Sequence, residues 1–472
     1  MSDAQTSAVQ RPGAAAIPDG WQPQIVALVC NWCTYAGADM AGTTRLEYPA
    51  NVRMVRFPCT GRMSPLMILR AFEQGADGVL VSGCHPGDCH YVQGNLVARR
   101  RFTIFRSLLD FLGVDLKRLH FAWVSAAEGH KWARVVKDVT AAVTEAGPLP
   151  RLTAAEAWDG PELPSVEGGG PAGLSDAETE ALRGNLRAAA SELLNNERVG
   201  VVVGYRAGSL PGRMAPVMVS TAADCQQLDW GPGCVNNLAA YAKTALEKAE
   251  KVALVVKTCD LGAVTGLIRE GQISRDQVRL IGVQCQGVRP AGDALADKCL
   301  SCSGAPHPIC DLVVTVDGVR ESCADPAAEA VETEDARDRQ IAHLESLPAE
   351  ERWRFWQRQF GRCLRCYACR AACPLCYCSS CIADKHRPQW VPTAIDERGN
   401  SAWNVIRALH LAGRCSGCDE CARVCPADIR LDLINRKLAL EVERQFGAAG
   451  LDPEHKTALV DFRMEDAEEF IL

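Results

Sequence analysis

The 472-residue chain is notable first for what is missing. No apolar run is long enough to cross a bilayer, and the first twenty residues, with Pro12, Gly13, Pro18 and Gly20, lack the charged start and apolar core of a secretory signal. Base is not in excess: 51 Lys and Arg against 58 Asp and Glu leave a net charge of -7, no electrostatic footprint for nucleic acid or an anionic membrane. No GxGxxG fingerprint follows a strand, Gly231-Pro232-Gly233 reading only as a tight turn, and no Ser-His-Asp or paired-carboxylate hydrolytic constellation stands out. These absences predict a cytoplasmic protein whose partners are other proteins and small redox molecules, without nucleic acid and without membrane insertion.

Cysteine is what the chain has in abundance, 24 residues. A reducing compartment keeps thiols open for metals or redox chemistry, so this number is not a disulfide framework. Two runs near the C-terminus have a specific spacing: Cys363, Cys366, Cys369, Cys373-Pro374 and Cys415, Cys418, Cys421, Cys425-Pro426. Three thiolates at intervals of three can converge on three irons of one cubane, while the fourth, turned away by its proline, serves the partner cubane. The pattern therefore predicts one 4Fe-4S cluster on Cys363, Cys366, Cys369 and Cys425, and a second on Cys415, Cys418, Cys421 and Cys373. Structural zinc is the alternative, but four ligands in one closed tetrahedron have no use for eight interleaved cysteines.

Length suggests about three domains on the usual scale of roughly 150 residues each, and the cysteines fall into three groups. The expected class is α/β multidomain, with an N-terminal parallel-sheet iron-sulfur domain, a middle α/β domain and a C-terminal dicluster ferredoxin-like domain. The expected boundaries are a disordered prefix over 1–20, the first domain over 21–146, a Pro/Gly/Ala-rich linker over 147–174, the second domain over 175–325, a linker or helix over 326–350 and the third domain over 351–472. Ser175 and Glu178 have capping-box spacing at the start of a helix.

In the first segment, apolar runs over 25–29, 52–57 and 78–81 read as strands, each followed by a cysteine, with helical periodicity over 65–74 and 99–112 between them. That order predicts a parallel sheet with ligands gathered beyond its carboxyl edge, where Cys30, Cys33, Cys59, Cys84 and Cys89 would share one rim. The phrases Cys30-Asn31-Trp32-Cys33, Cys59-Thr60-Gly61-Arg62 and Gly83-Cys84-His85-Pro86-Gly87-Asp88-Cys89-His90 resemble the delta subunit of methyl-viologen-reducing hydrogenase over about residues 24 to 142. The resemblance implies one 2Fe-2S cluster on four of those five cysteines. It also implies electron passage between a hydrogenase or formate dehydrogenase and a heterodisulfide-reductase-like flavoprotein subunit within a larger complex. His85 and His90 could replace thiolates as in Rieske centres, though five cysteines make that unnecessary.

The middle segment alternates strands over 199–203, 252–256 and 278–283 with helices over 235–251 and 261–270. Cys259 and Cys285 follow strand ends, and Cys299, Cys302 and Cys310 follow in a Pro-rich loop. From Val252 to Asp311 the segment is similar to the beta subunits of deazaflavin-coenzyme hydrogenases and formate dehydrogenases, which implies a third 4Fe-4S cluster and flavin (FAD). Cys259, Cys285, Cys299 and Cys302 are the expected ligands with Cys310 as substitute; a zinc site on Cys299, Cys302, Cys310 and His307 is the alternative. Cys225, Cys234 and Cys323 read as ordinary buried thiols.

Three further cysteines, Cys376, Cys378 and Cys381, exceed the needs of two cubanes and would either ligate another cluster or pack near the site. The insertion of about forty residues between the two motifs carries Trp390, Trp403, His386 and His410, and would face a partner or cover the core. The first expectation for function is a non-catalytic iron-sulfur electron conduit; its rival is a flavin-dependent oxidoreductase subunit that works on a soluble hydride carrier.

Overall fold

The computed structural model describes residues 20–149, 162–166, 168–196, 198–290, 292–322 and 335–472. Residues 1–19 of the expected disordered prefix, residues 150–161 and 167 of the first linker, and Cys323 lie outside these. Packing divides the chain into two compact units, 1–154 with 462–472, and 155–461.

The first unit is built on a four-stranded parallel sheet of β1 (Ile25–Cys30), β2 (Val52–Phe57), β3 (Gly78–Gly83) and β4 (Leu119–Trp123), in the order β2-β1-β3-β4. The two central strands are continuous apolar runs, as strands covered on both faces must be. At one edge, β2 carries Arg53 and Arg56 and is largely exposed, charge that discourages edge-to-edge pairing. Helices Thr34–Thr43, Pro65–Glu73, Gly94–Phe111 and Gly129–Ala146 complete the layers. The last of these packs so tightly on β3 that a Cβ at Gly78 would lie 2.5 Å from Val143 Cγ2.

At the other edge the C-terminal residues cover β4. Ile471 bridges Phe121, the Trp123 amide donates to the Leu472 carbonyl (3.2 Å), and Phe470 stacks on Phe102. Two buried arginines hold this strap: Arg100 pairs bidentately with Asp466 (2.7 and 2.8 Å), and Arg99 binds Glu468 and the Arg463 carbonyl. The third expected domain therefore gives up its last eleven residues to the first unit.

The second unit contains a mixed six-stranded sheet of β5 (Val201–Ala207), β6 (Met214–Val219), β7 (Val252–Val256), β8 (Val278–Val283), β9 (Leu312–Thr315) and β10 (Gly318–Glu321), in the order β10-β9-β8-β7-β5-β6. The central four pair in parallel, and hairpins add an antiparallel strand at each edge. The capping box of Ser175 and Glu178 starts helix Asp176–Asn195. The helix expected over 235–251 is instead a 3-10 turn at Leu238–Tyr241 and a short helix at Ala242–Leu246. Asn237 caps the amide of Ala239 (3.1 Å), and the Asn236 carbonyl accepts from Lys257 Nζ (2.7 Å), so it is diverted from a helical ladder.

The middle and last segments, expected as separate domains, share one core. Leu375 and Leu411 join the apolar cluster of the middle sheet, and a Cβ at Gly266 would lie 2.9 Å from Leu375 Cδ2. Glu270 binds Tyr377 (2.6 Å) and Arg414 across the same seam. Helices Asp338–Ser346, Ala349–Gly361, Glu397–His410 and Leu431–Phe446 surround the cysteine motifs. No described helix is long and apolar enough to cross a membrane.

Asp466→Asn should loosen the C-terminal strap by about 3 kcal/mol, since removing one partner strands a buried arginine. The readout is faster hydrogen exchange at the Trp123 amide. Burial opposes ionisation of Asp466, but Arg100 overcomes it and holds the carboxyl below its ordinary value. Its contribution is fully present above about pH 4 and is lost as the pH falls through the lowered value.

Candidate metal centres

Five thiols meet beyond the carboxyl edge of the first sheet, around the switch point between β1 and β3. Cys30 ends β1 and Cys84 directly follows β3, their sulfurs 3.6 Å apart; Cys59, just past β2, lies 3.7 Å from Cys89. Cys33 precedes helix Thr34–Thr43 and hydrogen-bonds Cys84. The hydrogen bond with Cys84 and then the amides of Cys33 and Trp32 hold the Cys30 thiol down to about 6 against its burial, while the same bond and burial push Cys84 up. Burial pushes Cys59 up to about 11. The set therefore gives up a first proton readily and the rest only to a metal, whose charge replaces theirs.

The surroundings fit a bound group. Gly94 faces the thiols so closely that a Cβ there would lie 2.4 Å from Cys59 Sγ and 3.4 Å from Cys89 Sγ. Buried Asn95 ties the loop by donating to the carbonyls of Cys84 (3.0 Å) and His85 (2.8 Å). The two histidines are otherwise engaged: His85 Nε2 meets Glu128 (2.7 Å), and His90 stacks on Trp32 at 3.9 Å. Sequence reasoning did not single out Gly94, Asn95 or Glu128, because each opens or precedes a helix where small and polar residues are unremarkable.

In the second unit the eight motif cysteines sort into two crossed sets. Cys373 lines one pocket with Cys415, Cys418 and Cys421. Cys369 is close enough to Cys363, Cys425 and Cys366 to feel their charge. The two motifs have matching backbones. Arg365 and Gly417, before the second cysteine of each run, have φ of 54° and 67°, and Tyr367 and Asp419, after it, have 59° and 58°. Three of these four are not glycine, so the left-handed turns are imposed by the surroundings; such turns aim successive amides into one concavity.

Burial pushes up Cys415 (to about 12), Cys418, Cys421 and Cys369, with Lys298 opposing it at Cys418 and Arg407 at Cys369 and Cys421. Arg407, 4% exposed, donates to the Cys369 carbonyl (3.0 Å), lines the pocket, and has no hydrogen-bond partner at Nε among the described residues. Asn400 donates to the Cys363 carbonyl (2.9 Å), and Asn435 Nδ2 lies 3.5 Å from Cys421 Sγ. Arg407 and Asn400 both come from the insertion between the motifs, whose helix Glu397–His410 also buries Trp403 edge-on against Tyr367. The insertion thus covers the core, and a polar residue on an amphipathic helix gave no signal of pointing inward.

A further thiol group lies at the carboxyl ends of β7 and β8. Cys285 feels the charge of Cys299 and Cys302, and Cys259 that of Cys285. Amides of Val288 and Gly304 reach Cys299 (3.4 Å) and Cys302 (3.3 Å). Cys310 lies apart from these four, packed on Gly282 and facing Asp311 and Arg275; His307 instead receives the Ile309 amide on Nδ1 (3.1 Å). Cys225 is a buried thiol 3.6 Å from the Thr221 carbonyl, whereas buried Cys234 faces Lys257 and Cys285. Cys376 hydrogen-bonds Cys373, Cys381 contacts Arg370, and Cys378 is exposed. Among the described residues no three His, Cys, Asp or Glu side chains close on a single ion.

Residues 25–147 match the family described as methyl-viologen-reducing hydrogenase, delta subunit, and residues 356–430 match the 4Fe-4S dicluster domain; both lie outside the middle sheet. Over 129 residues, 27% of this chain, it is 49% identical to 94% of an iron-sulfur subunit of the F420-non-reducing hydrogenase of Archaeoglobus profundus. A similar stretch of 127 residues is 43% identical to one subunit of the ferredoxin/F(420)H(2)-dependent CoB-CoM heterodisulfide reductase of Methanosarcina acetivorans, where it covers only 16% of the relative. Among solved structures, 22% of this chain aligns with 40% of a chain from the F420-reducing [NiFe] hydrogenase complex of Methanosarcina barkeri, at 18% identity and a TM-score of 0.19, a likeness that supports no inference.

Gly94→Ala should displace the Cys59 and Cys89 thiols, because the added methyl overlaps the nearer sulfur. The expected result is loss of iron loading in the first unit with unchanged far-ultraviolet circular dichroism, while Gly87→Ala, whose site has no neighbour within 4 Å, costs only backbone strain.

Proposed function

From a chain that belongs, through residues 25–147, to the methyl-viologen-reducing hydrogenase delta-subunit family and carries a 4Fe-4S dicluster domain over 356–430, we propose an electron-transfer subunit of a multisubunit redox complex. It would link a hydrogenase or formate-dehydrogenase module to a heterodisulfide-reductase-like flavoprotein. The observation that carries this reading is the crossed sorting of thiols, in which Cys373 joins Cys415, Cys418 and Cys421 around one pocket. Two sites that exchange a ligand must lie close together, which is useful for moving electrons and pointless for structural zinc. The first module supports the same reading, since its relatives include nearly the whole of a hydrogenase iron-sulfur protein and a small part of a heterodisulfide reductase chain.

On this proposal Cys363, Cys366, Cys369 and Cys425 hold one 4Fe-4S cluster, and Cys373, Cys415, Cys418 and Cys421 the second. Four of Cys30, Cys33, Cys59, Cys84 and Cys89 hold a 2Fe-2S cluster, and Cys259, Cys285, Cys299 and Cys302 a third 4Fe-4S cluster. Bound iron and sulfide would supply one-electron carriage. The chain's own part is to exclude water, fix the thiols and set the local charge with Arg407, Asn400 and Asn435.

Anaerobically isolated protein should contain about 14 iron atoms and no stoichiometric zinc; about 10 iron atoms with one zinc would make the middle thiols a structural zinc site. Cys425→Ala should damage the cluster held by Cys363, Cys366 and Cys369, seen as loss of one paramagnetic species on reduction. Damage confined to the site of Cys415, Cys418 and Cys421 would show that the ligation is not crossed.

A further inference from the structure

Two buried cations stand between the three thiol sites of the second unit, and among the described residues neither forms an ion pair with a carboxylate, although Asp419 acts on Lys298 without pairing with it. Lys298, whose ammonium is enclosed although its stem is partly exposed, donates to the Cys418 carbonyl (2.7 Å) and faces Cys259 on its other side. It therefore sits between the middle thiols and the pocket. Arg407 lines that pocket, donates to the Cys369 carbonyl, and faces Cys373 and Cys421 as well as Cys369, so it sits between the pocket and the outer set of Cys363, Cys366, Cys369 and Cys425. Its Nε, buried and without a partner among the described residues, is a donor at a pocket lined by four cysteines.

The other charges nearby are matched. The three carboxylates lining the pocket each have an arginine: Asp419 with Arg337, Glu420 with Arg423 (2.7 Å) and Asp432 with Arg430 (2.7 Å). Arg337 is shared with Asp335, which lies outside the pocket lining. At the middle site Lys257 is paired with Asp260 (2.9 Å), and at the outer site Arg370 is paired with Asp384 (2.9 Å), while Arg365 is directed to the carbonyls of Gly399 and Pro392. Of the cations without an ion-paired carboxylate, the middle thiols thus face Lys298 through Cys259, the outer thiols face Arg407 through Cys369, and the pocket faces both; Cys259 and Cys285 also face Lys257, whose charge is matched by Asp260.

An added electron is stabilised by positive charge held near it out of water. We infer that the site of Cys373, Cys415, Cys418 and Cys421 is the electron sink of the second unit, the highest in potential of its three sites, and that Lys298 and Arg407 are the positioning charges that make it so. This rests on the function proposed above. It also fixes an order, with the pocket central and the two other sites flanking it.

The test uses the full chain, loaded anaerobically with iron and sulfide, its iron counted, and then titrated stepwise with reductant under electron paramagnetic resonance. Cys418→Ser, Cys363→Ser and Cys299→Ser mark the pocket, the outer and the middle species by altering or abolishing their signals. The species reduced first among these three should be the one marked by Cys418→Ser. Held at its midpoint in the unaltered protein, Lys298→Met and Arg407→Met should each lower its reduced-to-oxidised ratio about tenfold, equal to 59 mV for one electron. Lys298→Met should also move the middle species but not the outer, and Arg407→Met the outer but not the middle. Lys298→Arg and Arg407→Lys should restore the ratio, and the Gln variants replace Met should either fail to fold. A first-reduced species marked by Cys363→Ser or Cys299→Ser, or a ratio unmoved by both charge removals, overturns the inference while leaving the electron-transfer reading intact. Uptake of about 8 iron atoms with one zinc by the second unit overturns the inference alone, since the middle site then carries no electron, and failure to take up even about 8 overturns that reading itself.

Discussion

A thiol taken out of water resists losing its proton, and this protein gathers thiols out of water in four places. Burial is the largest influence pushing Cys285, Cys415, Cys418 and Cys421 upward, and only positive charge or donated hydrogen bonds can oppose it. Much of the local architecture answers to that constraint. The left-handed turns at Arg365, Tyr367, Gly417 and Asp419 strain three side-chain-bearing residues in order to turn amides inward. The insertion between the motifs supplies a helix whose Arg407 is kept inside although an arginine there would ordinarily face solvent.

The first unit answers the same demand by different means. A parallel sheet offers a rim where strand ends release the chain, and the switch point between its central strands leaves a crevice there. Cys30 and Cys84 straddle that crevice, and backbone amides of Trp32 and Cys33 oppose burial at Cys30. Gly94 and Gly83 are held to a hydrogen atom by sulfur on one side and by the Thr60 side chain on the other. The fold and the thiol set are in this sense one structure: the same strand ends that make the sheet parallel deliver the ligands.

Continuity of packing, more than sequence order, decides what counts as a unit. The middle sheet and the cysteine motifs share an apolar core through Leu375 and Leu411 and a polar seam through Glu270, so Lys298 can lie beside Cys418 although 120 residues separate them. The C-terminal strap joins the first unit because β4 would otherwise present an open edge, and Arg99 and Arg100 would be buried without carboxylates.

The thiol inventory, the spacing of the two C-terminal runs, the parallel order of the first sheet and the resemblance of the first segment were all legible in the linear chain. These are local properties: strand periodicity, cysteine spacing and a proline after the fourth cysteine act over a few residues and are visible without a partner. The strands β4, β6, β9 and β10 were not legible, since short strands at or next to a sheet edge are defined by what they pair with; β6 even contains Pro216. Nor were the strap, the shared core, the separation of Cys310 from the other middle thiols, or the roles of Asn95, Asn400, Lys298 and Arg407. A polar or charged residue in a helix or loop carries no mark of which way it faces. Three-dimensional packing settles that, because the free energy of burying a charge depends on the groups brought to meet it from elsewhere in the chain.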